Sequence, residues 1–169
     1  MRTLLDWSYK LLAALACLAM VAAFVAVGLG VVARETGWDL QGLDAYAGYA
    51  IAAALFLALP GTFKRGEHIR VTLLLDHAPP RLRSALEWWS LGVGFSLAVF
   101  MAFYSVRLVW ISRETHDVSQ AMDATPLWIP QLAMALGCIV FALALLDALV
   151  ARARGAAFFE HAGDAARIE

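Results

Sequence analysis

The stretch LLAALACLAMVAAFVAVGLGVVA, residues 11–33, decides the fold, because its 23 residues include no Asp, Glu, Lys or Arg. A helix rises about 1.5 Å per residue and the hydrocarbon core of a bilayer is about 30 Å thick, so roughly 20 apolar residues cross it. Residues 45–63, 88–106 and 124–146 form three further stretches without these charged side chains. The sequence therefore predicts an all-α integral membrane protein with four transmembrane helices.

The composition supports this class. Of the 169 residues, 62% are hydrophobic and 16% are charged, against about 45–50% and about 25% in soluble proteins. The 13 basic and 14 acidic side chains all lie outside the four stretches, and the formal net charge is −1. This pattern excludes a soluble domain and a disordered chain, and a chain without a basic field does not favour nucleic acid as a partner.

We predict spans at about 11–33, 43–63, 86–109 and 126–148, within a membrane domain of residues 1–155 that is followed by a cytoplasmic tail, 156–169. A signal-peptide core is about 7–15 residues long, so the first stretch favours a retained anchor over a cleaved leader. Thr125 and Pro126 are expected to be the N-cap and first residue of the fourth helix. Cys17 and Cys138 lie in apolar stretches and are expected to be inert, buried packing residues.

The link between the second and third spans contains an apolar run at 71–75, followed by Pro79 and Pro80. Such a run outside a span is typical of a segment that lies along the membrane surface. We therefore predict a cytoplasmic interfacial segment between the second and third helices.

Basic residues predict the orientation, because Lys and Arg are enriched in cytoplasmic loops. Three basic residues lie on one side, Arg34, Arg107 and Arg113, and the other ten lie on the side of both termini. Both termini and the link 64–87 are therefore expected in the cytoplasm, and Gly37 and His116 outside. All six tryptophans lie at span ends, the position that indole rings prefer.

The spans lack the polar groups that chemistry at depth requires. The four histidines, His68, His77, His116 and His161, all lie outside the spans, which argues against a haem held between helices. Asp44, Arg107 and Asp147 lie at span edges, where water can solvate them. His116 and Asp117 leave open a metal or acid–base pair, but a solvated loop is favoured. We expect no catalytic residue, no metal and no cofactor.

Two stretches resemble a known family. KRGEHIRVTLLL, residues 64–75, is similar to the "rrGeHirvdll" stretch after that family's second helix, and ATPLWIPQL, residues 124–132, to the "tPlwiPq" start of its fourth. The family is the small integral-membrane, DctQ-type subunit of tripartite ATP-independent periplasmic (TRAP) transporters. This sequence departs from its pattern at Thr72, where an acidic residue is frequent, and at Ala135, where a proline is frequent. The residues that carry the resemblance are Gly66, Glu67, His68, Arg70, Pro126, Trp128 and Pro130.

The resemblance implies a scaffold role rather than an enzyme. In this family a periplasmic substrate-binding protein captures an organic acid, and a large permease moves it inward with sodium while the small subunit supports that permease in the inner membrane. The expected partners are therefore the large permease, the binding protein and membrane lipid. Charges in the outer links are candidates for docking the binding protein: Arg34, Glu35, Arg113, Glu114 and Asp117.

The sequence leaves two alternatives open. The small subunit of a tripartite tricarboxylate transporter also has about four spans and the same kind of role. A membrane anchor of a respiratory complex would instead carry electron-transfer groups. The Gly-Glu-His-Ile-Arg string, residues 66–70, favours the first family, and the missing histidines at depth argue against the respiratory anchor.

Overall fold

The structure, a computed structural model, describes residues 2–38, 40–65, 79–121 and 124–155. These residues form four helices, α1 (Arg2–Thr36), α2 (Leu43–Lys64), α3 (Pro80–Glu114) and α4 (Trp128–Ala153). Within the described ranges the only strand-like pairing is an isolated bridge between Val118 and Pro126. The all-α fold with four helices is thus confirmed, whereas the predicted interfacial segment and the tail lie outside the described residues.

All four helices are long and apolar enough to cross a membrane. The helices α1 and α3 have 35 residues each, which corresponds to about 52 Å at about 1.5 Å per residue. This exceeds a hydrocarbon core of about 30 Å, so both helices extend beyond the apolar stretches that predicted them. The protein is a multi-pass membrane protein.

The turn between α1 and α2 depends on two glycines. Gly37 has a φ of 74°, and the backbone N–H of Trp38 donates to the carbonyl of Ala33 at 2.9 Å. This is the geometry of a Schellman motif, in which a left-handed residue ends the helix and satisfies one of its last carbonyls. Gly42, with a φ of 82°, occupies the N-cap position of α2. A side chain at either position would be strained.

The start of α4 corrects one prediction from the sequence. The N-cap of α4 is Leu127 and no side chain caps it, so Thr125 is not the N-cap and Pro126 is not the first helical residue. Instead, the backbone N–H of Leu127 donates to the Asp117 carbonyl at 3.0 Å, and the backbone N–H of Ser119 donates to the Thr125 carbonyl at 2.8 Å. The two sides of the link between α3 and α4 are thus hydrogen-bonded to each other, and α4 begins only after this pairing, at Trp128.

The helices are arranged in the spatial order α1, α2, α4, α3. Among these four helices, extensive contacts join α1 to α2, α2 to α4, and α4 to α3. In the most apolar part of α4, 44% of the residues are buried, against 11% in α1 and in α3. The bundle is therefore open, with α2 and α4 in the middle and α1 and α3 at its two edges.

The buried core connects all four helices. It contains Tyr9 and Leu12 from α1, Leu57 from α2, Ala98 from α3 and Leu145 from α4. An edge-to-face contact between Phe63 and Phe141, with ring centroids 5.7 Å apart, adds to the α2–α4 interface. Such aromatic pairs contribute about 0.5–1.5 kcal/mol beyond the burial of their area.

Candidate functional site

The backbones of the two central helices are in close contact at Gly137. A Cβ atom built on Gly137 of α4 would overlap the carbonyl oxygen of Phe56 in α2 and lie 2.6 Å from its carbonyl carbon. Pro60, four residues after Phe56, is buried and has no N–H to donate to that carbonyl. The carbonyl that proline leaves without its helical partner is therefore the group that packs on Gly137. Close backbone contact of this kind is how helices associate in lipid, where no hydrophobic driving force exists.

A second polar contact lies in the α3–α4 interface. The Ser105 hydroxyl donates to the sulfur of Cys138 at 3.7 Å, and both residues are buried. Cys138 is thus a packing residue, as expected. Cys17 differs from the expectation, because it is exposed on α1. The physical reason is the open arrangement, in which α1 packs mainly on α2 and its other side has no extensive contact with α3 or α4.

We call the end of the bundle that carries the start of α1 and the end of α4 the terminal end. There, Lys64 at the end of α2 forms an ion pair with Asp6 at the start of α1. The Lys64 ammonium also lies 5.5 Å from the centroid of the Tyr9 ring, within cation–π range. These contacts join α1 to α2 at the terminal end.

A second ion pair closes α3 against α4 at the terminal end. Arg152 and Glu87 approach to 2.5 Å, and Arg83 lies 3.3 Å from the other oxygen of the same carboxylate. Arg152 also donates to the Ser84 hydroxyl at 3.4 Å. Each outer helix is therefore joined to its central neighbour by an ion pair between described residues. The sequence had indicated only that these residues lie in cytoplasmic segments.

The opposite end, which we call the link end, carries the turns 37–42 and 115–127. The hydroxyls of Tyr46 and Thr125 share a hydrogen bond of 3.1 Å that joins α2 to the second of these links. The Arg113 guanidinium lies 5.9 Å from the ring of Trp128, which places a cation over the start of α4. Pro130 occupies the third residue of α4, where a helix needs no backbone donor.

The residues proposed for docking share this end. All are exposed, and all lie at or next to the ends of α1 and α3: Arg34, Glu35, Arg113, Glu114 and Asp117. The structure brings Trp128 together with Arg113, but it joins Pro126 to Val118 and leaves Pro126 exposed. Gly66, Glu67, His68 and Arg70 lie outside the described residues.

Large apolar side chains cover the open faces of the two edge helices. On α1, Leu18 is 65% exposed and Phe24 78%; on α3, Phe103 is 61% and Trp110 65% exposed. Exposed apolar surface of this extent marks contact with lipid or with another protein. The side chains at depth are thus suited to packing rather than to chemistry.

Polar chemistry is sparse in the part of the chain that the structure describes. The buried polar or charged residues there are Ser105 and Ser112. No group of three or more His, Cys, Asp or Glu side chains that could hold a metal ion occurs among the described residues. His116 is exposed, and its ring nitrogen Nδ1 lies 3.1 Å from the carbonyl oxygen of Glu114.

Comparison with known proteins assigns this arrangement to a transport family. No curated protein and no solved structure matches the chain. Residues 23–155 match the family described as "Tripartite ATP-independent periplasmic transporters, DctQ component". The matched range covers α2, α3, α4 and the last 14 of the 35 residues of α1. The chain therefore belongs to the DctQ family, the small permease component of TRAP transporters, and is a multi-pass protein of the bacterial inner membrane.

Proposed function

We propose that this chain is the scaffold subunit that supports a large permease in sodium-coupled, binding-protein-dependent uptake of an organic acid. The observation that carries the proposal is the contrast between its surfaces and its interior. The edge helices expose large apolar side chains to any membrane partner, while the buried polar side-chain atoms among those described are few: the hydroxyls of Ser105, Ser112 and Tyr9 and the amide oxygen of Gln131. A subunit built in this way supports a neighbour and does not itself bind an ion or an anion.

The partners follow from the family. The large permease covers part of the apolar surface of α1 or α3, and the periplasmic binding protein reaches the link end. The proposed orientation places both termini in the cytoplasm, because ten of the 13 basic residues lie on that side. We also propose that the chain catalyses no reaction and carries no cofactor.

Reconstitution tests this function. Vesicles that contain the chain alone should accumulate no organic acid under a sodium gradient, with or without the binding protein. Vesicles that contain both membrane subunits and the binding protein should accumulate it, and uptake should stop when the sodium gradient is removed. Sodium-driven uptake by the chain alone would contradict the proposal.

Co-purification tests the partner surfaces. Phe24→Ala on α1 and Phe103→Ala on α3 each remove an exposed aromatic ring without introducing a charge into the membrane. We expect one of the two variants to retain less of the large permease than the unmodified chain does. Full retention by both variants and by their combination would exclude these two faces as the main contact.

A further inference from the structure

The exposed side of α3 carries large aromatic side chains. Phe100, Phe103 and Trp110 are 58%, 61% and 65% exposed, and Tyr104 is 48% exposed. Residues three, four and seven positions apart lie on one side of a helix. These four residues therefore form a single surface together with Arg107, which is also exposed. We call this set the aromatic face of α3.

The hydroxyl of Tyr104 lies at the depth of the hydrocarbon core. Trp89 and Trp110, at the two ends of the apolar part of α3, are 21 residues apart, or about 31 Å, which matches a core about 30 Å thick. Tyr104 precedes Trp110 by six residues, or about 9 Å. Its ring centroid lies 4.5 Å from that of Phe100, one turn further from the link end, because helical side chains lean towards the N-terminus of their helix. The hydroxyl is therefore directed into the core and not towards water at the link end.

This hydroxyl lacks an acceptor. Within the described residues, the interactions of Tyr104 are its ring contacts with Phe100 and Phe103. The hydroxyl of Tyr46, a tyrosine of similar exposure, is instead bonded to Thr125. A hydroxyl without a partner in hydrocarbon is costly. Tyr104 therefore requires an acceptor that the described part of the chain does not supply.

Arg107 adds a charge to the same face. Of the other two basic residues near the link end, Arg34 donates to the carbonyl of Gly30 and Arg113 lies over the ring of Trp128. Arg107 forms no hydrogen bond or ion pair with the described residues, and it precedes the last residue of α3 by seven positions. A guanidinium binds carboxylate and carbonyl oxygens. Both polar groups of the aromatic face thus call for oxygen acceptors.

The exposed side of α1 has a different chemistry. Every exposed residue of α1 between positions 11 and 33 carries a hydrocarbon side chain, a sulfur-containing side chain or, at Gly28, only a hydrogen. Acyl chains satisfy such a surface fully. Polar side chains at depth, in contrast, typically form contacts between transmembrane helices. The two edges of the bundle are therefore not equivalent, and α3 is the edge suited to a protein neighbour.

We propose that the aromatic face of α3, and not α1, contacts the large permease, through a transmembrane helix that presents oxygen acceptors to the Tyr104 hydroxyl and the Arg107 guanidinium. One carboxylate accepts from both groups, because they lie one turn apart. A lipid phosphate, which lies at the membrane surface, reaches Arg107 but not the Tyr104 hydroxyl. The inference rests on the proposed function, which supplies the partner but not the face that it covers.

Photo-crosslinking within the complex tests which edge is covered. The variants are Phe103→p-benzoylphenylalanine on α3 and Phe24→p-benzoylphenylalanine on α1, each produced with the large permease. Phe24 is the matched control, because it is an exposed phenylalanine of the other edge helix. Irradiation should join position 103 to the large permease, identified by mass, and position 24 to no protein. Three results would overturn the proposal: a permease product at position 24, no protein product at position 103, or a product at 103 with a second copy of this chain.

Retention of the large permease tests the two polar groups. Tyr104→Phe should retain about fivefold less permease during purification, and Arg107→Gln about tenfold less, as expected for a neutral and a charged hydrogen bond. Arg34→Gln, at the same end of α1, is the matched control and should retain all of it. The isolated Tyr104→Phe chain should unfold at an unchanged or higher temperature, since its hydroxyl has no described partner to lose. Full retention by the double variant Tyr104→Phe/Arg107→Gln would overturn the proposal.

The outcomes separate this inference from the proposed function. If the unmodified chain does not retain the large permease, the proposed function fails and the inference fails with it. If the unmodified chain retains the permease but position 24 is crosslinked, or position 103 is not, only the inference fails.

Discussion

Gly137 in α4 leaves room for the backbone carbonyl of Phe56 in α2, and this contact determines how closely the two central helices approach. A methyl group at Gly137 would lie 2.6 Å from the carbonyl carbon and 3.0 Å from the Cβ of Phe56. Backbone atoms of a helix cannot rotate away as a flexible side chain does, so the helices themselves would have to separate. Because α2 and α4 each carry an edge helix, the spacing at this contact affects the position of all four helices.

Gly137→Ala is therefore expected to destabilise the protein. Overpacking of this kind costs about 1–3 kcal/mol. The thermal unfolding midpoint in detergent, followed by tryptophan fluorescence, should fall. Gly48→Ala is the matched control, since a Cβ at Gly48 of α2 meets nothing within 4 Å and alanine is the better helix former by about 1 kcal/mol. Equal midpoints for the two variants would show that the central helices adjust at no cost.

The ion pair between Arg152 and Glu87 is expected to couple α3 to α4. In a double-mutant cycle of Glu87→Gln and Arg152→Gln, the two changes should be non-additive by about 0.5–1 kcal/mol at low salt. The cycle of Glu87→Gln with Arg83→Gln should give a smaller coupling, because Arg83 is 3.3 Å from the carboxylate and its side chain is 53% exposed. Unfolding midpoints measured at low and high salt provide both cycles. A larger coupling for Arg83 would contradict this ranking.

Sequence patterns predicted the four helices because charges are excluded from the hydrocarbon core, and this constraint acts on each segment separately. The spatial order of the helices was not predictable in the same way. Helices that are apolar on every side show no periodicity that distinguishes a lipid-facing from a buried face, so Cys17 and Cys138 looked alike. The α2–α4 contact was only weakly indicated in the sequence. Gly137 is the last residue of Ala135-Leu136-Gly137, and this string matches the family's Pro-Leu-Gly at its leucine and glycine but not at its first residue.

The side-chain contacts at the two ends of the bundle were less predictable than the fold. Asp6 and Lys64 are 58 positions apart, and no local pattern shows that two such residues will pair. Thr125 precedes a proline and an apolar run, which is the usual pattern of an N-cap. In the structure, however, its carbonyl accepts a hydrogen bond from the backbone of Ser119 and its hydroxyl shares one with the Tyr46 hydroxyl, so Thr125 does not cap α4. Contacts with residues distant in the sequence therefore determined the role of Thr125, and the local N-cap pattern did not.

That corrected role of Thr125 gives a further prediction. If the Thr125 hydroxyl bonds to the Tyr46 hydroxyl and does not cap α4, then Thr125→Val and Tyr46→Phe each remove the same hydrogen bond. Each change should therefore lower the free energy of unfolding by about 0.5–1 kcal/mol. The double variant should cost no more than either single change. An additive loss would instead indicate that the two hydroxyls act separately.

Ser119→Ala serves as the control within the same link. The Ser119 hydroxyl accepts a hydrogen bond from the backbone of Ala121, two residues away. Its loss should add to the loss from Tyr46→Phe, because the two hydrogen bonds share no partner. Denaturation in detergent, followed by circular dichroism, measures the three single variants and the two double variants, Thr125→Val/Tyr46→Phe and Ser119→Ala/Tyr46→Phe, on one scale.

The orientation of the bundle is testable with single cysteines. In a chain with Cys17→Ser and Cys138→Ala, we introduce Glu35→Cys at the link end and Arg154→Cys at the terminal end, both exposed positions. In intact cells whose outer membrane has been permeabilised, a membrane-impermeant maleimide should label position 35 and not position 154. Inverted membrane vesicles should give the opposite pattern. Labelling of position 154 in the intact cells would reverse the proposed topology.

Docking of the binding protein at the link end is the last prediction. Glu35 and Glu114 are exposed at the ends of α1 and α3, and changing both to Lys reverses the charge there without disturbing the Arg113–Trp128 contact. Charges at the rim of an interface mainly affect the association rate, and salt screens them within about 10 Å at 0.1 M. In vesicles that contain both membrane subunits, uptake by the variant should be slower than normal at low salt, and the difference should shrink as salt rises. Arg154→Glu, at the opposite end, should leave the rate unchanged, and the amount of assembled complex should be the same in all three proteins. A rate that is unaffected by the double reversal at every salt concentration would leave the large permease as the docking surface.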